Sequence, residues 1–362
     1  MHQLDSPVGV EVDATGAVIV SDTNNHRVVR YQNGATTGEV VAGGTGAGTG
    51  PNQLNSPRGV SLDADGALHI ADSGNHRVIT KDGVGSSAGE VDLGGTGQGT
   101  GLDQFDNPTD VFIDAAGTRY VLDRDNNRVL KFPPGATNGE VVAGGNGAGS
   151  DLRQLDAPVG FTVDASGNIY IADTGNNRVV KWTPGASEGV LVAGVDGQGS
   201  ADDQLSSPMD VAVDGAGALY VVDADNSRVV KYASGATSGT VVAGQSGQGN
   251  ANDQLDGPTS IALDDSGALY VADSANDRVV KYDSGAISGA VVAGGSGQGA
   301  ALNQLDNPTG LTIDANGAMY VSDAGNHRVV RVPAGTTDGE VRKFPFLSRR
   351  ELAPKVRHTY LS

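Results

Sequence analysis

Two aspartates and a serine replace a glycine that otherwise recurs two residues after a repeated proline. They are Asp110, Asp210 and Ser260. Two carboxylates that face a common space can share a divalent cation or act on a bound ligand. The alternative is that each carboxylate caps a neighbouring turn by accepting backbone hydrogen bonds. Both interpretations stay open at the level of sequence.

A second charged pattern, Asp-x-x-Asn-x-Arg, recurs in every copy of the repeat. An enzyme needs one asymmetric constellation, so recurrence favours a structural role. The Asp is expected to cap the turn and the Arg to pair with a carboxylate in its own or the next copy. The Asp and Arg of each copy are Asp22 and Arg27, Asp72 and Arg77, Asp123 and Arg128, Asp173 and Arg178, Asp223 and Arg228, Asp273 and Arg278, and Asp323 and Arg328.

Acidic residues also gather in the loops of the middle copies. They are Asp103, Asp125, Asp151, Asp202, Asp203, Asp225, Asp253 and Asp277, accompanied by Arg124 and Arg153. Such a rim offers oxygen ligands to Ca²⁺, or it recruits a basic peptide. The third interpretation is solvated surface charge. No stretch matches the twelve-residue calcium-loop pattern, so no cofactor is expected, with Ca²⁺ as the alternative.

Other kinds of site find little support. Glycine-rich runs such as Gly43–Gly48 lack the following helix and the Gly-Lys-Ser/Thr ending of a phosphate-binding loop. The chain has no Cys and 6 His, and no two His occupy inner-strand positions, so a zinc site is unsupported. The net charge of -19 opposes binding to nucleic acid and to anionic membranes. No apolar run is long enough to span a membrane.

The elements that must position these residues follow a period of about fifty residues. The prolines that mark it are Pro7, Pro57, Pro108, Pro158, Pro208, Pro258 and Pro308. Each copy has four short apolar runs separated by Gly, Asn, Asp and Pro, which predicts four antiparallel strands. The first turn, Asp-x-x-Gly, is typical of a hairpin with a left-handed glycine. Trp182 replaces Phe or Tyr of other copies and is expected to pack in the core.

Seven such units predict an all-β, seven-bladed propeller over residues 1–341, with blade boundaries near 50, 101, 151, 201, 251 and 301. A solenoid is the alternative, but it needs capping repeats at both ends, whereas the first copy resembles the sixth. Residues 342–362 leave the repeat and form a basic tail. Since the chain starts at an inner strand and ends near an outer one, closure is expected to depend on packing of blade one against blade seven.

The repeat resembles the NHL family. The residues that carry the resemblance are Asn25-His26-Arg27, Asn75-His76-Arg77 and Asn326-His327-Arg328, with related triplets in the other copies and a preceding Pro-x-Gly-Val-x-Val-Asp. The resemblance implies a propeller whose relatives bind protein or RNA, serve as extracellular sensors, or act as lyases and lactonases. Fold alone does not choose among these functions.

The function expected from the sequence is non-enzymatic. The chain is predicted to be a monomeric scaffold that presents its acidic, loop-rich face to a protein or carbohydrate partner. The alternative is a lactonase- or lyase-like enzyme with a divalent cation at the central channel, held partly by Asp110 and Asp210. No signal peptide is visible in the first residues, and an extracellular or periplasmic location is expected only if an upstream segment precedes them.

Overall fold

The computed structural model describes residues 3–35, 37–50, 52–82 and 90–336. Its strands form consecutive antiparallel sheets, one for each repeat, arranged as blades in a ring. Blades one and two contain β1 (Pro7–Val12), β2 (Val18–Asp22), β3 (Arg27–Tyr31), β4 (Glu39–Gly43), β5 (Pro57–Leu62), β6 (Leu68–Asp72), β7 (Arg77–Lys81) and β8 (Glu90–Leu93). Blades three and four contain β9 (Pro108–Ile113), β10 (Arg119–Asp123), β11 (Arg128–Phe132), β12 (Glu140–Gly144), β13 (Phe161–Val163), β14 (Ile169–Asp173), β15 (Arg178–Trp182) and β16 (Val190–Ala193).

The remaining blades repeat this order. Blades five and six contain β17 (Pro208–Val213), β18 (Leu219–Asp223), β19 (Arg228–Tyr232), β20 (Thr240–Ala243), β21 (Pro258–Leu263), β22 (Leu269–Asp273), β23 (Arg278–Tyr282) and β24 (Ala290–Gly294). Blade seven contains β25 (Pro308–Ile313), β26 (Met319–Asp323) and β27 (Arg328–Val332). The predicted all-β, seven-bladed propeller is confirmed. The end of the predicted propeller at 337–341 and the tail at 342–362 lie outside the described residues.

The first hairpin of each blade forms because its Asp organises the turn locally. In blade four, the Asp164 carboxylate accepts hydrogen bonds from the N–H groups of Ser166 and Asn168, both at 2.9 Å. Gly167 then takes a φ of 78°, a conformation that costs glycine little. The turn is therefore specified by five consecutive residues, 164–168, which explains why the sequence predicts it.

The second turn of five blades is a short 3₁₀ segment. The segments are Thr23–Asn25, Ser73–Asn75, Arg124–Asn126, Thr174–Asn176 and Ser274–Asn276. The residue after each segment takes a left-handed conformation, as His26 does with a φ of 52°. This conformation directs the chain into the third strand of the blade.

The hydrophobic core is divided among the interfaces between consecutive blades, which we call joints. The joint between blades three and four buries Leu122, Ile171 and Trp182, each at most 2% exposed. A comparable cluster occupies each of the other joints in the described part of the chain. A blade thus buries apolar surface only against its two neighbours, as expected of a repeat protein.

The ring closes by packing blade one against blade seven. Val20 and Tyr31 of blade one share a buried cluster with Tyr320 and Val329 of blade seven. The inner strand β1 contacts both β25 and β26, and Ser322 Oγ donates to a backbone oxygen of β1 at 3.2 Å. Within the described residues, closure therefore uses the same kind of contact as the other joints.

Glycine at the start of the inner strands allows neighbouring blades to approach closely. A Cβ added to Gly160 would lie 2.6 Å from Met209 O and 3.1 Å from Asp210 Cα, both backbone atoms of blade five. We expect Gly160→Ala to lower the free energy of unfolding by about 1–3 kcal/mol, because the strands must separate.

The matched control for this substitution is Gly215→Ala, since no atom lies within 4 Å of the added Cβ. Alanine there restricts mainly the unfolded chain, so we expect a gain of about 0.4–1 kcal/mol. Urea denaturation of both variants measures the difference. Similar effects of the two substitutions would contradict the close approach of the inner strands.

Candidate functional site

Each Asp-x-x-Asn-x-Arg turn contains a buried ion pair that also fixes the glycine-rich segment leading into the same blade. In blade four the fully buried Asp173 carboxylate accepts from Arg178 Nε at 2.7 Å and from Asn176 Nδ2 at 2.8 Å. The Arg178 guanidinium donates to three backbone carbonyl oxygens of the glycine-rich segment at 2.6–3.1 Å. Burial raises the pKa of Asp173, and the hydrogen bonds that it accepts act in the opposite direction.

The structure brings together the Asp and Arg of every copy in the same way. Nε to Oδ2 distances are 2.5–2.7 Å in Asp22–Arg27, Asp72–Arg77, Asp123–Arg128, Asp223–Arg228, Asp273–Arg278 and Asp323–Arg328. Each pair lies within one blade. The glycine-rich segments and these turns therefore form one end of the ring, which we call the loop face.

The acidic residues predicted for the loop face lie on its segments, and most of them accept local hydrogen bonds. Asp225 accepts from Ser207 Oγ at 2.6 Å and Asp253 from Ser246 Oγ at 2.6 Å. The other contacts are Asn107 Nδ2 and Arg124 Nη1 to Asp125, Asn307 N to Asp277, and Arg153 Nε to Asp151.

These carboxylates are spread around the loop face. Asp202 is exposed, and Asp103 and Asp203 are partly buried. Within the described residues, no three His, Asp or Glu side chains are grouped as metal ligands would be. The loop face thus carries distributed negative charge.

The predicted channel residues Asp210 and Ser260 are in direct contact across a joint. Ser260 Oγ and Ile261 N each donate to Asp210 Oδ2 at 3.0 Å, and Val211 N donates to Asp210 Oδ1 at 2.8 Å. Burial raises the pKa of Asp210, and these hydrogen bonds lower it. Asp210 thereby connects the inner strands of blades five and six.

Asp110 occupies the same position in blade three but has fewer donors. Its Oδ1 accepts from Val111 N at 2.9 Å. At the position that corresponds to Ser260, the next blade has Gly160, which has no side chain to donate a hydrogen bond. Burial, followed by the negative charges of Asp210 and Glu11, raises the pKa of Asp110 to about 7. These three acids belong to non-adjacent blades, so their charges interact across the centre of the ring.

Glu11 is a channel residue that the sequence interpretation missed. It lies on β1, four residues after Pro7, where other blades have residues such as Ser61 and Ala212. Burial raises the pKa of Glu11. A comparison of this second inner-strand position across the repeats would have revealed it.

Clefts lie at the opposite end of the ring from the loop face. A cleft of about 300 Å³ between blades six and seven is lined by residues that include Lys281, Met319 and Val332. Others of about 250 and 220 Å³ lie between blades one and two and between blades five and six. Their linings include the Asp-x-x-Gly turns, so these clefts are separate from the acidic rim.

The joint between blades two and three contains a polar cluster that breaks the repeat. The buried His69 ring contacts Asp63 Oδ2 at 3.4 Å and Thr80 Oγ1 at 2.9 Å, and Thr80 donates to Asp92 Oδ2 at 2.8 Å. Arg119 of blade three pairs with Asp92. Burial lowers the pKa of His69, although the neighbouring carboxylates oppose this shift. We interpret the cluster as a buried connection between blades.

Family models match two parts of the chain. A model described as NHL repeat matches residues 4–31, 54–79 and 155–182. This match agrees with the seven blades of the structure. The chain is an NHL-repeat β-propeller. A second model, described as SMP-30/Gluconolactonase/LRE-like region, matches residues 189–346 of this propeller.

Solved structures share the propeller fold at low sequence identity. Virginiamycin B lyase from Staphylococcus aureus is 12% identical in one structure, with a TM-score of 0.57 and coverage of 88% of this chain and 92% of that chain. A streptogramin B lyase structure is 14% identical, with a TM-score of 0.53 and coverage of 81% and 83%. A nidogen/laminin complex contains a chain that is 15% identical, with a TM-score of 0.51 and coverage of 73% and 89%. No curated protein sequence matches this NHL propeller.

Within residues 3–35, 37–50, 52–82 and 90–336, no helix has the length and apolar character needed to cross a lipid bilayer.

Proposed function

We propose that this NHL propeller is a non-enzymatic binding platform whose loop face takes a basic protein partner. The observation that supports this function most directly is the buried Asp–Arg pair beneath each loop of that face. Because each guanidinium holds backbone carbonyl oxygens of the adjoining segment, the acidic rim is fixed before a partner arrives. Preorganised loops reduce the conformational entropy lost on binding.

The charge of the rim defines the chemistry of the partner. Asp125, Asp202 and Asp225 are exposed on the loop face, and the whole chain carries a net charge of -19. Lys and Arg side chains on a partner complement such a surface, and the attraction speeds association and weakens with salt. A carbohydrate whose hydroxyl groups donate to these carboxylates is the second class of partner. Its binding would depend much less on ionic strength.

The experiment compares charge removal on the two ends of the ring. The test variant carries Asp125→Asn, Asp202→Asn and Asp225→Asn, and its matched control carries Asp65→Asn, Asp265→Asn and Asp283→Asn on the opposite end. Arrayed peptides that range from acidic to basic serve as the probe, in parallel with arrayed neutral oligosaccharides. We expect basic peptides to bind the unmodified chain, and the loop-face variant to bind them about tenfold more weakly. Equal losses in the two variants, or no preference for basic peptides, would contradict the proposal.

A second candidate function is a lactonase- or lyase-like activity at the channel. The specific observation in its favour is the electrostatic coupling of Glu11, Asp110 and Asp210, together with the SMP-30/gluconolactonase match over residues 189–346. The residues fit a divalent cation poorly, because both Asp210 oxygens already accept hydrogen bonds from N–H or O–H groups. We therefore derive no metal-assisted step.

Calcium and a chelator separate the two functions. A cation that binds only the folded chain raises the thermal midpoint by mass action. The binding platform predicts the same midpoint with Ca²⁺ and with EDTA. A clear rise with Ca²⁺ that is lost in Asp110→Asn would favour the second function over the first.

A further inference from the structure

In six of the seven Asp-x-x-Asn-x-Arg turns, the residue that precedes Arg reaches across a joint. Its side chain accepts a hydrogen bond from the backbone N–H of the residue that precedes the proline of the next blade. Among the described residues, the donors and acceptors are Ser6 N to His327 Nδ1 (3.1 Å), Ser56 N to His26 Nδ1 (3.1 Å), Asn107 N to His76 Nδ1 (3.0 Å), Ala157 N to Asn127 Oδ1 (2.8 Å), Ser207 N to Asn177 Oδ1 (2.9 Å) and Asn307 N to Asp277 Oδ1 (2.9 Å).

These joint hydrogen bonds hold residues in an unfavourable conformation. Ser6, Ser56 and Asn107 have φ values of 49°, 49° and 51°. A non-glycine residue with positive φ is strained, and a following proline restricts it further. The joint hydrogen bond therefore helps to fix the place where the next inner strand begins.

The acceptors differ in their response to protons. The amide oxygens of Asn127 and Asn177 accept throughout the physiological pH range, whereas an imidazole accepts only from an unprotonated nitrogen. Histidine changes its charge in the range from about pH 5 to pH 8. The joints that use histidine are consecutive around the ring, namely seven to one, one to two, and two to three.

We propose that these three joints form a proton-sensitive sector of the propeller, in which acidification releases the N–H groups of Ser6, Ser56 and Asn107. A protonated ring carries N–H on both nitrogens, so it no longer accepts the backbone hydrogen bond. The joints that use asparagine keep their hydrogen bonds under the same conditions. The inference concerns the joints themselves and is independent of the proposed binding function.

The charged groups near each histidine decide what its protonated ring can contact. His76 Nδ1 lies 3.3 Å from Asp106 Oδ1, and His327 Nδ1 lies 3.5 Å from Asp5 Oδ1. A protonated ring at either joint exchanges the backbone N–H for this carboxylate of the next blade. At the position that corresponds to Asp106, the His26 joint has the uncharged Asn55.

The remaining charges around His26 are less able to offset protonation. On its own turn, Asp22 and Arg27 already form a buried pair. On the strand that follows Ser56, the charged residue is the exposed Arg58, which offers no attraction to a protonated ring. A protonated His26 ring therefore gains no carboxylate in exchange for the backbone N–H.

The sector includes two inner strands that carry channel carboxylates. Ser6 precedes β1, which contains Glu11, and Asn107 precedes β9, which contains Asp110. Release of these N–H groups frees the starts of both strands. Acidification is thus coupled to the placement of two of the three channel acids.

Amide hydrogen exchange measured by NMR on the full chain tests the proposal, with each rate divided by its intrinsic rate at the same pH. Between pH 7.5 and 5.5 we expect the protection of the Ser56, Asn107 and Ser6 N–H groups each to fall at least tenfold. Protection of Ala157 and Ser207 N–H should stay constant. An unchanged Ser56, or an equal fall at Ala157 and Ser207, would overturn the proposal.

The matched variant is His26→Asn, which copies the acceptor of blades three and four. We expect this variant to keep the protection of Ser56 N–H at both pH values, while Asn107 still responds. A second measurement does not depend on any variant. The ¹⁵N shifts of the His26 ring at pH 7.5 should show Nδ1 without a proton, and a protonated Nδ1 would equally overturn the proposal.

Discussion

Replacing Arg178 by Ala is expected to lower the free energy of unfolding by about 3–5 kcal/mol, because the fully buried Asp173 loses its compensating charge. The substitution also removes the donors to three carbonyl oxygens of the segment that enters blade four. The expected result is an earlier transition in guanidinium denaturation, measured by the fluorescence of Trp182 in the same blade.

Arg153→Ala is the matched control, since Arg153 is exposed and pairs with the exposed Asp151. Exposed ion pairs contribute little to stability, so no clear shift of the transition is expected. Arg178→Lys adds a graded test, because lysine keeps the charge but lacks the planar fork that bonds several oxygens at once. If Arg178→Ala were as stable as Arg153→Ala, the turn motif would not have the structural role assigned to it.

Replacing Asp110 by Asn is expected to stabilise the propeller at pH 8 and to have little effect at pH 4. The pKa of Asp110 is about 7 in the folded chain, whereas an unfolded Asp titrates near 3.9. Between about pH 4 and pH 7 the folded state binds more protons than the unfolded state, so stability falls as the pH rises. The upper limit of this loss is about 4 kcal/mol, because one pKa unit corresponds to 1.36 kcal/mol. Asparagine carries no charge and keeps an oxygen for Val111 N–H.

Asp210→Asn makes the same chemical change and is expected to have the opposite effect. Asp210 accepts from Ser260 Oγ, Ile261 N and Val211 N through its two oxygens, and an asparagine has only one oxygen. A buried donor that loses its acceptor costs about 1–3 kcal/mol. Urea denaturation of both variants at pH 4 and pH 8 provides the comparison. Destabilisation by Asp110→Asn at pH 8 would show that this carboxylate is satisfied by contacts other than those described.

Interactions between residues close in the sequence were sufficient to predict the blades. Asp164 and Gly167 form their hairpin through residues no more than four positions apart, and Asp173 pairs with Arg178 five positions away. Interactions of this range recur with each repeat, so one interpreted copy predicts the others. The sequence also indicated that Asp110 and Asp210 interrupt a glycine position at the start of the inner strands.

Contacts between blades could not be predicted from these short-range interactions. Asp210 meets Ser260 fifty residues away, and Ser6 meets His327 across the closure of the ring. The channel position of Glu11 and the clefts opposite the loop face were likewise missed. The repeat pattern predicts the contacts within each blade, but it does not predict which side chains face each other when two blades pack.

The amino-acid sequence by itself determined the strands of the described blades, their turns and the order of the blades, because hydrogen bonds between near neighbours specify them. Only the tertiary structure decided which carboxylates interact across the centre and which side chains accept hydrogen bonds across the joints. The physical reason is that these contacts depend on the distance and angle between separate sheets, which are set by packing of the whole ring.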